Sequence, residues 1–193
     1  MIHYAQDYDE KMVTLGYHYA SNIPANEGRN WTTLTQPYLK STQIFVCPSD
    51  TTTGKTNGYY SGTTSDTNFH TSYLYNRDIG SVGPSDFGQS GVALASFNST
   101  ASTVMVADGD ADPTSNPITP TQWTPKDSGK FIMSPVSQFD GDFGAPIPRH
   151  LETCNVLYAD GHVKSQRIEK FFTYASPTLS TKMPCLDITK GCQ

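Results

Sequence analysis

Charge is what this chain has least of. Lys and Arg number 13 and Asp and Glu 18, together 16% of 193 residues, against roughly 25% in an average soluble domain. The net charge is −5, and without clustered Lys and Arg the chain cannot neutralise a run of phosphates. Nucleic acid is therefore excluded as a partner, and so is a basic membrane-surface patch. Long apolar runs are also missing, so neither a membrane-spanning helix nor a conventional signal segment can be drawn. The four cysteines include no CxxC pair, which removes zinc-ribbon and thioredoxin-like chemistry. GxSxG, HExxH and HxH are absent too, and the chain reads as a protein that is not an enzyme.

In place of charge stand hydroxyls and amides, with 15 Gly and 13 Pro, a bias common in exported proteins. The length suits one domain with a substantial core. "MIHYAQDYDEKM" opens directly in helical periodicity, with Met1, Tyr4 or Ala5, Tyr8 and Met12 on one side and no capping residue ahead of it. "NWTTLTQPYLKS" predicts a short second helix capped by Asn30 and shortened by Pro37. Strands are expected at Ile44 to Cys47, at Ser72 to Asn76 and, most strongly, at Ser102 to Asp108, a β-branched run closed by Asp-Gly.

"RHLETCNVLYADGHVKS" is the most patterned stretch. Asp160-Gly161 predicts a two-residue type I′ turn, which would pair Tyr158 with Val163 and Val156 with Ser165. His150 then lies one strand length upstream. Six or seven extended residues span about 20 Å, so Asp160 does not reach His150, which is expected to bond backbone where the hairpin begins. The core set on this reading is Tyr4, Tyr8, Trp31, Phe45, Tyr73, Val104, Val106, Val156, Tyr158 and Val163.

Two further features suggest chemistry. Asp108, Asp110 and Asp112 alternate in "ADGDADPTSNP", a spacing that lets carboxylates converge on calcium, although the glycine and distal Glu of an EF-hand are missing. A solvated Asp-rich turn is the alternative. Cys185 and Cys192 enclose a short loop that a disulfide would pin near the C-terminus; two unpaired thiols are the alternative. How Cys47 and Cys154 are connected stays open.

Taken in order, "HYAQDYDEKM", "WTTLTQPYLKSTQIFVCPSD", "SYLYN", "ASTVMVADG" and "RHLETCNVLYADGHVKS" resemble a family of prepilin-type proteins. That family is marked by a His-x9-Asp-Gly motif and is similar to the major pseudopilins of type II secretion. The motif falls on His150, Asp160 and Gly161, and the "FVCPSD" block contributes Cys47, Pro48 and Asp50. The resemblance implies an α+β, pilin-like fold, with an N-terminal helix packed on a small antiparallel sheet carrying long loops. Residues 1–15 would be the C-terminal part of that helix and 16–193 a single head, its tail beginning at about 170.

The resemblance further implies a structural subunit of a cell-surface filament or secretion pseudopilus, exported to the cell envelope or extracellular surface. Its partners would be copies of itself or other pilins. The membrane would be reached only through a hydrophobic helix that this chain lacks. The family's helix cysteine would fall before Met1, leaving Cys47 to pair with Cys154, and calcium binding in major pseudopilins favours the Asp108, Asp110 and Asp112 loop. A different class of function competes: a secreted carbohydrate-binding module using Tyr59, Tyr60, Trp123 and Phe143 as stacking platforms.

Overall fold

The computed structural model describes residues 1–14, 31–50, 71–80, 90–111, 132–133, 145–171, 185 and 188. They form a mixed α+β structure around one sheet. Its strands are β1 (Tyr73–Asn76), β2 (Val104–Ala111), β3 (Ile132–Met133), β4 (Ala145–Pro146), β5 (Cys154–Tyr158) and β6 (Val163–Gln166). The order is β3-β1-β2-β5-β6, with β4 also paired to β2. The pairings are antiparallel except for β1 with β3.

β2 occupies the centre because its sequence can be buried on both faces. Val104, Met105, Val106 and Ala107 are all buried, and a continuous apolar run of this kind suits a strand covered on each side. Val104 and Ala107 join a cluster with Leu74, Val156, Tyr158 and Phe171. Met105 and Val106 join a second cluster with Tyr4, Trp31, Phe45 and Tyr75. Consecutive residues of β1, Leu74 and Tyr75, likewise divide between the two clusters, as a pleated strand requires. A register shift between Val104 and Val106 against β5 lets Met105 and Val106 enter the same cluster. Each fully buried side chain of this size contributes about 1.5–3 kcal/mol.

Two helices pack around the second cluster. In α1 (Ile2–Asp7), Tyr4 and Ala5 are buried, and Tyr4 lies beside Tyr8 with ring centroids 4.2 Å apart. α1 is shorter than the periodicity predicts. Asp9 and Glu10 adopt left-handed φ values of 54° and 56°, and the chain then runs extended, with Lys11 bridged to Ala93. Met12 is buried, but on this extended segment. Gly91 permits that approach, because a Cβ there would stand 1.7 Å from the Met12 carbonyl oxygen. In α2 (Trp31–Thr35), Trp31 stacks on Tyr75 and meets Phe45 edge-on. The α-helix gives way after Thr35 to a 3-10 turn at Gln36–Tyr38 that contains Pro37, so the helix is shortened as the proline predicts. A third, four-residue helix, α3 (Arg77–Gly80), follows β1 and opens on Asn76, whose Oδ1 accepts from Asp78 N.

Three expectations are corrected. Residues Ile44 to Cys47 are not a strand: Thr42–Phe45 is a 3-10 helix whose capping Ser41 side chain accepts from Gln43 N. Phe45 and Cys47 are buried while Ile44 and Val46 are exposed, so the alternation is real but serves packing without a ladder. Tyr8 and Val163 are also not core; they are 52% and 65% exposed. Val163 faces outward because the β5–β6 register differs by one residue from the predicted one. Leu157, not Tyr158, pairs with Val163, and Val156 pairs with Lys164. A slip of one residue inverts every side chain of a strand.

The cause of the slip is the turn. Gly161 N donates to Tyr158 O, Tyr158 N donates to His162 O, and of the two turn residues only Gly161 has positive φ, at 94°. This is a three-residue loop closing in a glycine bulge, not the two-residue type I′ turn. The type I′ geometry occurs nine residues earlier at a less expected place. Leu151 and Glu152 both have positive φ, between His150 and Thr153, which exchange both backbone hydrogen bonds at 3.0 Å.

Candidate functional site

The "CPSD" block folds as one tight turn. Pro48 supplies the fixed φ of its second position, and Asp50 N donates back to Cys47 O at 2.9 Å. Cys47 N donates to Ser72 Oγ at 2.9 Å, which ties the turn to the start of β1. The two ends of the turn then reach two adjacent residues far along the chain. Cys47 Sγ lies 3.5 Å from His150 Nε2, and Asp50 Oδ1 lies 2.5 Å from Arg149 Nη1. Arg149 also donates through Nη2 to Gly109 O, joining the turn to β2.

Asp108 completes the group. It sits where β2 changes neighbours, for Tyr73 of β1 pairs with Asp108 and Pro146 of β4 pairs with Gly109. Its side chain is 0% exposed and Oδ2 stands 3.4 Å from His150 Nε2. The same Oδ2 accepts from Asn155 N at 2.6 Å. Oδ1 has no hydrogen-bond partner among the described residues. Cys47, Asp108 and His150 each offer one ligand atom, all within 4.8 Å of one another.

Burial dominates the titration of this region. It raises the Asp108 carboxyl above the usual range, while the Asn155 N–H and the nearby His150 and Arg149 pull it back and Asp50 adds to the rise. Burial, then the Asp108 charge, pushes the Cys154 thiol far up. The Tyr73 phenol is pushed up to about 12, first by burial and then by the proximity of Cys47 and Asp108.

The group is not arranged as a proton relay. A relay holds the carboxylate on one imidazole nitrogen and the nucleophile on the other. Here Sγ and Oδ2 both face the same Nε2. What the three atoms can do together is converge on a single electrophile of ionic size.

The hairpin tip is separate. Asp160 Oδ1 accepts from His162 N at 3.1 Å and lies 2.6 Å from His162 Nδ1. Asp160 therefore pairs with His162 and not His150, and its carboxyl is lowered: burial raises it, but the His162 contacts outweigh that. The His162 ring stacks on Tyr158 at 4.3 Å. On the opposite side of the tip, a Cβ on Gly161 would stand 2.4 Å from Ile2 Cδ1, so this glycine packs directly under α1.

Other expected sites fare differently. Asp108 lies within the strand of residues 104–111, and its side chain faces a thiol and an imidazole. Asp110 lies in that strand, and Asp112 is outside the described residues. Cys47 and Cys154 are free thiols and are not joined; Cys154 Sγ donates to Ile147 O at 3.0 Å instead. Cys185 is disulfide-bonded, while Cys192 lies outside the described residues, as do Tyr59, Tyr60, Trp123 and Phe143. The sequence reading missed Arg149, which stood next to the motif histidine and received no role, and it missed that Asp108 belongs with His150.

Comparison with protein-family models, curated proteins and solved structures finds no match to the chain. Among the described residues no helix is long and apolar enough to cross a membrane.

Proposed function

We propose that this chain is the globular head of a pilin-like subunit, a structural protein of a cell-surface filament or type II secretion pseudopilus at the cell envelope. The observation that carries this reading is the docking of α1. The helix buries Tyr4 and Ala5, and Ile2 rests on Gly161, the glycine of the His-x9-Asp-Gly motif. The dipeptide that carries the resemblance to prepilin-type proteins thus supports the N-terminal helix, the element through which such subunits assemble. Its partners would be further copies of the chain or other pilins.

The test is mass-spectrometric mapping of the native N-terminus from sheared envelope filaments. An N-methylated Phe upstream of Met1, followed by an apolar helix, is the expected result. A native start at Met1, or one left by a conventional signal peptidase, would remove the filament reading.

A further inference from the structure

We infer that Cys47, Asp108 and His150 form a three-ligand site for one divalent transition-metal cation of the zinc type. Geometry makes the first case. For a tetrahedral ion with ordinary zinc bond lengths, the edge from sulfur to nitrogen is about 3.5 Å and from nitrogen to oxygen about 3.3 Å. The observed separations are 3.5 Å for Sγ to Nε2 and 3.4 Å for Nε2 to Oδ2. These two separations match edges of a coordination polyhedron, and the three ligand atoms all lie within 4.8 Å of one another.

The second case rests on valence. An imidazole nitrogen carries either one proton or one lone pair, so Nε2 makes one good hydrogen bond and not two. A thiol sulfur and a carboxylate oxygen nevertheless stand at nearly equal distance from it. A cation at their common centre uses the lone pair of Nε2 and satisfies all three at once.

The third observation is independent of both. Asp108 Oδ1 has no hydrogen-bond partner among the described residues, and its side chain is fully buried. Buried carboxylate oxygens are bonded as a rule, and an orphan calls for an ion or a bound group. A dication would neutralise the thiolate and the carboxylate together, while Arg149 is already neutralised by Asp50.

The donor set selects the metal. A thiolate and an imidazole disfavour calcium and magnesium, which take oxygen ligands, and favour zinc or a neighbouring first-row ion. Three protein ligands leave a fourth position, and the His150 side chain is 30% exposed, so water or a small anion can complete the shell. Supporting contacts hold each ligand: Ser72 for Cys47, Asn155 for Asp108 and Thr153 for the His150 backbone. This inference goes beyond the filament reading and does not rest on it.

Cobalt(II) reports the site directly, since a thiolate ligand gives a near-ultraviolet charge-transfer band and tetrahedral coordination gives intense visible bands. The full chain, freed of metal with a chelator under conditions that keep Cys47 reduced, is titrated with cobalt(II) and then with zinc(II). The expected result is one cobalt bound with both bands, displaced by one zinc. Cys47→Ala should abolish the charge-transfer band and Cys154→Ala should retain it. His150→Ala should weaken zinc binding by more than the roughly 10–100-fold that loss of a supporting contact costs. Circular dichroism of each variant separates lost binding from lost folding. A folded wild-type chain with no thiolate–cobalt band would overturn the site, as would a band that survives Cys47→Ala.

Discussion

Arg149 and Asp50 face each other at 2.5 Å with side chains 5% and 1% exposed. An ion pair this far from solvent adds little net stability over an apolar pair, yet removing one partner takes a close counter-charge from the other, at about 3–5 kcal/mol. Arg149→Met should therefore lower the unfolding free energy by that amount in urea titration. The double variant Arg149→Met with Asp50→Leu should recover most of the loss, whereas equal destabilisation in both would show that the Arg149 bond to Gly109 O dominates.

The turn beside His150 stores backbone strain that sequence can relieve. Leu151 and Glu152 hold φ of 49° and 66°, and left-handed conformation costs a residue with a Cβ about 1–2 kcal/mol. Leu151 is 98% exposed, and the Glu152 bond to Arg167 is at the surface, where such pairs contribute little. Leu151→Asn with Glu152→Gly supplies the preferred type I′ pair. The variant should gain about 1–2 kcal/mol in chemical denaturation, with cobalt binding unchanged. A lower stability would mean that the leucine packs on something its exposure does not reveal.

Gly161 answers to two constraints, its φ of 94° and the 2.4 Å approach of Ile2 Cδ1. Gly161→Ala should cost about 1–3 kcal/mol. Adding Ile2→Ala should return only the steric share, because the backbone conformation remains unsuited to a Cβ. Full recovery in the double variant, read from thermal midpoints, would assign the whole cost to the helix contact.

Alkali should reveal a protected class among the eleven tyrosines. Tyr73 is pushed up to about 12 by burial and its acidic neighbours. Burial, with Tyr4 nearby, holds Tyr75 well above the ordinary range, and its hydroxyl donates to Val13 O at 2.9 Å. Each keeps its proton in the folded chain after the unfolded chain would lose it near pH 10. The stability linked to them is whole below about pH 10 and falls as pH rises towards 12. Ultraviolet titration should show Tyr75 ionising only with the loss of far-ultraviolet circular dichroism. Complete ionisation of all tyrosines in a still-folded chain would contradict that burial.

Where the sequence could be read, the physics was local. Val104 to Ala107 announced a buried strand through an uninterrupted apolar run, and Pro37 announced a shortened helix. What failed hung on single-residue offsets or long reach. Asp-Gly fits two hairpin loops that differ by one residue, and only the choice between them places Val163 inside or out. Cys47 and His150 are 103 positions apart, and nothing local ties them. The alternating aspartates drew Asp108 towards a loop, whereas the strand they end in turned it towards the histidine.

The central place of β2 also sets the order in which this fold can come apart. β6 can peel from β5 without disturbing it, and β4 touches it only beyond Asp108. Val106 and Ala107 are flanked on both sides, by β1 and β5, so their amides exchange with solvent only when the sheet opens at its centre. Asp108 follows directly on those residues. Cys47 and Arg149 are tied to the strands at that point through Ser72 and Gly109. Partial openings that spare β2 and its two neighbours therefore leave the surroundings of Asp108 in place.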